Sequence, residues 1–150
     1  MAKTKGINYW KKKANAEFSK FIRLRDALRT TKTKTDVVCC SCGKTYPAFG
    51  VGCAQAGHFI PGRGNSILYD EWCVHAQCYN CNVNLKGNWP GYYEFMECEY
   101  GLAIINALLE KKRDIVKYTV QDLIEIRDKY KSAYKELEES CSWNVSDAQQ

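Results

Sequence analysis

Two Cys-x-x-Cys pairs carry the first chemistry in this chain: Cys39-Cys40-Ser41-Cys42 and, thirty-six positions after Cys42, Cys78-Tyr79-Asn80-Cys81. Each knuckle folds back so that both sulfurs face one point, and four thiolates fill the tetrahedral shell of one structural zinc ion. The expected ligands are Cys39, Cys42, Cys78 and Cys81, one zinc per chain, with the adjacent Cys40 as the alternative to Cys39. A shell of four thiolates leaves no open coordination position, so any reaction must take place beside the zinc. His58 lies between the knuckles, just before the run Pro61-Gly62-Arg63-Gly64-Asn65-Ser66. An imidazole that titrates near neutral pH is a candidate general base. Asn82, directly after the last knuckle cysteine, offers a hard carboxamide oxygen suited to Mg²⁺ or Mn²⁺. Arg63 is positioned either to clamp a phosphate or to support its own loop. A base, an oxygen ligand for a Lewis acid and a cation are what hydrolysis of a phosphodiester requires. His75 shares a strand face with Cys73 and Gln77, as part of the site or as hydrogen-bonded surface, and Cys53, Cys98 and Cys141 read as plain thiols.

The elements that must hold these groups are short and mixed. Trp10, Ala14, Phe18, Phe21, Ile22 and Leu28 recur at helical spacing over 8–29, and a polar linker follows over 30–36. Residues 37–88 should hold the site, with strands expected over 51–59 and 72–77, a turn over 61–66 between them and a short helix beginning near Asn80. Asn88-Trp89-Pro90 reads as an N-cap with Pro in the first turn of a helical stretch that breaks at Gly101 and runs to Leu109. Thr119-Val120-Gln121-Asp122 reads as a capping box ahead of the apolar stripe Leu123, Ile126, Tyr130, Ala133 and Leu137. The fold class expected is α+β in one domain of 150 residues: a basic arm over 1–34, a zinc-stapled core over 37–88, C-terminal helices over 89–139 and a fraying tail over 140–150.

Charge and cysteine usage narrow the partners. Residues 1–34 hold eleven Lys or Arg against Glu17 and Asp26, a balance of +9, whereas the rest of the chain balances at −4. A local excess of cations is what neutralises the phosphates of a nucleic acid, and the candidate contacts are Lys11, Lys12, Lys13, Lys20, Arg23, Arg63 and Lys86. A solvated helix face is the bland alternative for the N-terminal run. No run of eighteen apolar residues occurs and no apolar segment follows the basic start, so neither a membrane partner nor a secretory leader is expected. Nine cysteines then read as ligands and buried thiols in a reducing cytosol.

The run Phe18-Ser19-Lys20-Phe21-Ile22-Arg23-Leu24-Arg25-Asp26, the knuckle Cys39 to Gly43 and the block Gln55-Ala56-Gly57-His58-Phe59-Ile60-Pro61-Gly62-Arg63-Gly64-Asn65-Ser66 together resemble the NinG family of lambdoid phages. Val74 to Cys78, Cys81-Asn82 and Leu85 to Asn88 extend the resemblance, which covers about residues 15–138. It implies a phage-encoded, metal-dependent endonuclease in the bacterial cytoplasm that acts on D-loops and Holliday junctions, with a small ββα-metal (His-Me finger, HNH-like) core flanked by helices. It implies 5′-phosphate and 3′-hydroxyl products, His58 as base and Asn82 on the catalytic Mg²⁺ or Mn²⁺. The chain departs from the wider pattern twice. Gly57 stands where many such nucleases carry a metal-binding Asp, so the metal would depend on Asn82, waters and the substrate phosphate unless Asp70, Glu71 or His75 folds inward. Cys73 stands where an Asn ties down the loop.

Two readings from other classes compete: a non-catalytic zinc ribbon that binds nucleic acid through the basic arm, and a zinc-dependent protein adaptor that uses the C-terminal helices. A homodimer through the final stripe would place two sites symmetrically on a junction, and the same stripe equally fits packing within its own domain.

Overall fold

The computed structural model describes residues 4–141, so the tail expected to fray lies, past Cys141, outside the described residues. The first element is helix α1, Ile7–Thr30, and it is central to the fold. Ala14, Phe18, Ile22, Leu24 and Ala27 are buried along it, and so is Asp26. Its burial extends beyond one stripe because α1 is covered from two directions. Helix α4, Val120–Ser140, lies on one side, where Tyr130 packs edge-on against Phe18 at 4.7 Å between centroids and tilted against Phe21 at 5.3 Å. The strands lie on the other.

Strands β1, Asp36–Val38, and β2, Thr45–Pro47, pair antiparallel with Val37 opposite Tyr46. This hairpin wraps the first knuckle and was not expected from sequence, because three-residue strands are too short to show alternation. Strands β3, Gln55–His58, and β4, Val74–Gln77, form a second antiparallel pair in which His58 faces Val74 and Gly57 faces His75. Both are shorter than expected. Gly50 and Gly52 take φ of +87° and +68°, so the chain turns there and leaves Val51 exposed. At the other strand, Asp70 Oδ1 accepts the N–H groups of Trp72 (2.8 Å) and Cys73 (3.2 Å), a side-chain-closed turn that delays β4 until Val74.

A two-stranded ribbon alone is marginal in water, and α1 supplies what a third strand would. Asp26 Oδ2 accepts the Ala76 N–H at 2.7 Å. Arg25 donates to the carbonyls of Val74 and Glu71 at 2.8 Å each, and the Cys40 N–H donates to the Ala76 carbonyl at 3.0 Å. The outward polar groups of β4 are thereby satisfied without another strand.

Beyond β4 the chain makes a π-helical turn over Asn80–Asn84, where a short helix was expected, closed by Leu85 N–H to the Asn80 carbonyl at 2.8 Å. Helix α2, Trp89–Tyr100, carries Pro in its first turn as expected. Asn88 precedes it in a left-handed conformation (φ 39°), and its side chain makes no capping bond, donating instead to the Cys81 sulfur. Gly101, at φ 82°, ends α2 and opens α3, Leu102–Lys111. The capping box before α4 is present, with Asp122 N–H to Thr119 Oγ1 at 3.1 Å and Thr119 N–H to Asp122 Oδ2 at 2.8 Å. Of the final stripe, Leu123 and Tyr130 are buried, with Tyr130 against α1, and Ile126, Ala133 and Leu137 are half-buried. Among the described residues, no helix is long and apolar enough to cross a membrane. Helices α1 to α4 and the β3–β4 hairpin thus share one core, in which Phe18, Phe59, Ile67, Tyr92, Met96 and Ile105 meet, while Val37 of the first hairpin packs in a second cluster with Ala27, Ala48, Ala54 and Ala76.

Candidate functional site

The four knuckle sulfurs of Cys39, Cys42, Cys78 and Cys81 all lie within 4.8 Å of one another. Sulfurs about 2.3 Å from one zinc at tetrahedral corners stand about 3.8 Å apart. The Cys42 and Cys78 sulfurs are 3.9 Å apart, and the donor set is close enough to hold one zinc ion. Cys40 is excluded from the shell: its backbone pairs with β4 and its thiol points toward Ser41 at 3.8 Å, pushed well up in pKa by burial. The outer shell is built from the same loops. The Cys81 N–H approaches Cys78 Sγ at 3.4 Å and Asn88 Nδ2 approaches Cys81 Sγ at 3.3 Å, contacts that orient metal-bound thiolates. Burial raises the Cys78 thiol, but the Cys81 N–H and the Tyr46 hydroxyl outweigh it and bring it down to about 7.

The four-cysteine cluster takes in Cys81 of the π-helical turn, and a groove of about 670 Å³ opens beside β3. His58, Asn82 and Arg63 all line it, as do Lys12 and Lys86. Three segments separated in sequence therefore deliver the expected base, carboxamide and cation to one place. His58 Nε2 lies 3.0 Å from the Leu68 carbonyl. A carbonyl only accepts, so Nε2 carries the proton and the neutral ring keeps its lone pair on Nδ1. Burial lowers the His58 pKa, the Leu68 carbonyl opposes that shift and the Arg63 charge reinforces it. The unprotonated base is the form favoured at neutral pH. Asn82 Nδ2 donates to Gln55 Oε1 at 2.7 Å, which leaves its carbonyl oxygen free of that bond. Arg63 and Lys86 both have left-handed backbones, with φ of 46° and 51°, an unusual cost for residues with a side chain.

The absence of an Asp at position 57 has a steric cause. A Cβ on Gly57 would stand 1.9 Å from Gln77 Oε1. Gln77 is fully buried and held by bonds to Ser41 Oγ and the Gly87 carbonyl, both at 2.7 Å, so it cannot move aside cheaply. None of the three substitute ligands reaches the groove. Asp70 closes its own turn and pairs with Lys111 at 2.5 Å, and Glu71 accepts from the Tyr130 hydroxyl at 3.0 Å. His75 sits in the core between the hydroxyls of Tyr92 (3.1 Å) and Tyr100 (2.7 Å). Burial, then Arg25 and Arg29, keep its pKa well below the usual value. The loop that Cys73 leaves without an Asn tether is tied by Tyr92, whose hydroxyl reaches the carbonyls of Gly57 (2.7 Å) and Cys73 (3.3 Å).

The expected nucleic-acid contacts divide. Lys12, Arg63 and Lys86 line the groove. Lys13 stands over the Tyr9 ring, Lys20 lies over Tyr134 and pairs with Glu17, and Lys11 offers its carbonyl to Tyr69. Arg23 belongs to the scaffold: it donates to the Ala48 carbonyl at 3.2 Å and stacks over Phe49. Other lining residues were not singled out from the sequence, the polar Asn15, Ser19 and Gln55 and the indole of Trp89 among them. Asn15 and Ser19 follow Lys12 at helical spacing, a small polar stripe that could have been read. Gln55 and Trp89 gave no periodic signal.

No curated protein and no solved structure matches the chain. The family described as bacteriophage lambda NinG protein matches residues 1–140, which takes in the helix that walls the groove, both knuckles, His58, Arg63 and Asn82, and the chain therefore belongs to the NinG family.

Proposed function

We propose that this chain is a metal-dependent DNA endonuclease with a ββα-metal core formed by β3, β4 and the zinc-anchored turn. One observation carries the reading: His58, with Nδ1 free to accept a proton, shares a groove with Asn82 and three cations, and no carboxylate among the described residues lines it. Such a groove suits a polyanion. In the reaction, His58 Nδ1 takes a proton from water as the water oxygen bonds to phosphorus. The P–O3′ bond then breaks and the leaving O3′ takes a proton from a second water, giving 5′-phosphate and 3′-hydroxyl ends. Arg63 and Lys12 offset the charge that accumulates on the phosphoryl oxygens. Lys86 holds the neighbouring backbone.

Asn82 is the residue that would hold the catalytic Mg²⁺ or Mn²⁺, which supplies Lewis-acid polarisation when bound. A single neutral oxygen is a weak site for a hard cation, so the substrate phosphate and water make up the rest of its shell. Zinc in the Cys39, Cys42, Cys78 and Cys81 cluster has no part in the chemistry; it holds Asn82 beside β3. The resemblance to phage recombination nucleases gives D-loops and Holliday junctions as substrates, met in the host cytoplasm.

The test is cleavage of a junction, a D-loop and a linear duplex by wild-type and His58→Ala protein in Mg²⁺. Wild-type cleavage reduced about 10²- to 10⁴-fold by the substitution is expected. Undiminished cleavage by His58→Ala would overturn the mechanism. Salt-sensitive binding by the wild type without any cleavage would select the non-catalytic zinc ribbon instead.

A further inference from the structure

We infer that Trp89 is a stacking platform for an unpaired base of the strand whose phosphate meets His58, so that the site takes DNA with an unstacked nucleotide beside the scissile bond. This rests on the endonuclease reading and narrows its substrate class. Lys12, Arg63 and Lys86 recognise phosphate, which paired and unpaired strands share. Trp89 is the groove-lining side chain that can tell them apart.

Three features make it a platform. It is 47% exposed at the groove although it is the largest apolar side chain there. One face lies nearly parallel to the Phe59 ring, at 15° with centroids 5.8 Å apart, and Tyr93 braces it at 4.9 Å. Phe59 is only 1% exposed and follows His58 directly, so the indole is backed by a ring fixed in the core one residue from the base. Its position at the start of α2, three residues after Lys86, puts a phosphate contact beside the ring. A base inside a duplex has both faces covered by its neighbours, so only a base out of the stack can lie on Trp89. Gaps, flaps and branch points supply one.

Fluorescence of 2-aminopurine reads the stack directly. Wild-type protein without added Mg²⁺ is titrated into single-stranded, gapped and fully paired DNA carrying the probe. Quenching is expected for the unpaired probe and not for the paired one. Trp89→Leu, which keeps an apolar side chain on Phe59, should abolish the quenching and weaken binding to gapped DNA about tenfold, with duplex binding unchanged. Trp89→Phe should fall between. Trp72→Leu, at an exposed indole outside the groove, should behave as wild type. Zinc content and thermal midpoint of Trp89→Leu establish that it is folded. Quenching that survives in folded Trp89→Leu, or an equal loss on duplex and gapped DNA, would overturn the inference. The readout is binding, so a protein that stacks the probe but cuts nothing refutes the endonuclease and leaves the stacking intact.

Discussion

The two histidines of the chain sit on neighbouring strands of one hairpin, His75 opposite Gly57 and His58 opposite Val74, and have opposite fates. Alternation turns them to opposite faces. His75 faces α2 and is 1% exposed, and a consistent chain of donors satisfies it: Arg29 donates to the Tyr100 hydroxyl, that hydroxyl to His75 Nε2, and His75 Nδ1–H to the Tyr92 oxygen. Tyr92 in turn donates to the Gly57 carbonyl. His58 has one partner, a backbone carbonyl, and keeps a free nitrogen at the groove. Burial lowers the pKa of both, so a shifted pKa does not distinguish them. The count of satisfied ring nitrogens does.

The largest effect comes from erasing the difference altogether. Removing zinc, or changing Cys78 to Ser, should unfold the segment that carries both histidines, since structural zinc supplies on the order of 10 kcal/mol of folding free energy. Far-UV circular dichroism and one zinc per chain by elemental analysis check this, and Mg²⁺ should not restore activity.

Single substitutions sharpen the contrast. His58→Ala should leave the melting temperature near wild type while cleavage falls by the factor given above. His75→Ala should do the reverse, losing about 2–4 kcal/mol of stability through a cavity and the loss of its hydrogen bonds to the Tyr92 and Tyr100 hydroxyls, with turnover of the folded fraction retained. Gly57→Ala should be as damaging as His75→Ala, because its methyl meets Gln77. Urea unfolding at neutral pH measures both.

A smaller effect lies in pH. Each histidine has a folded pKa below its unfolded value of about 6.5, so the unfolded chain binds the protons that the folded chain refuses. Stability contributed by the neutral rings is complete above about pH 6.5 and is lost as pH falls toward the lower folded values, with a slope near 1.4 kcal/mol per pH unit for each proton. His75→Phe should flatten that slope. The acid limb of the cleavage rate should lie below pH 6.5 and persist in His75→Phe if His58 alone is the base. The smallest effect concerns cations: Lys12→Ala or Arg63→Ala should each reduce the salt dependence of DNA binding by about one counterion, and Lys20→Ala should not.

The chemical groups were more legible than their surroundings. Cysteine spacing pointed to the four thiols that the fold brings together because each knuckle turn is local, and the capping box was readable for the same reason. The strand boundaries failed where Gly50, Gly52 and the Asp70 side chain close turns inside runs that look extended. The role of Gly57 was hidden because its cause, Gln77, is twenty residues away and meets it only across the ladder. Lys12 could not be separated from Lys11 and Lys13 by charge, since orientation about α1 decides which one faces the groove.

The capping of β4 by Asp26 and Arg25 also bears on how the chain is made. An unpaired edge is an invitation to other strands, and a ribbon waiting for a covering segment that has not yet emerged would be exposed to aggregation during synthesis. Here the cover comes first in the chain: α1 leaves the ribosome before either strand of the hairpin, so the carboxylate and guanidinium that close the edge already exist when β4 appears.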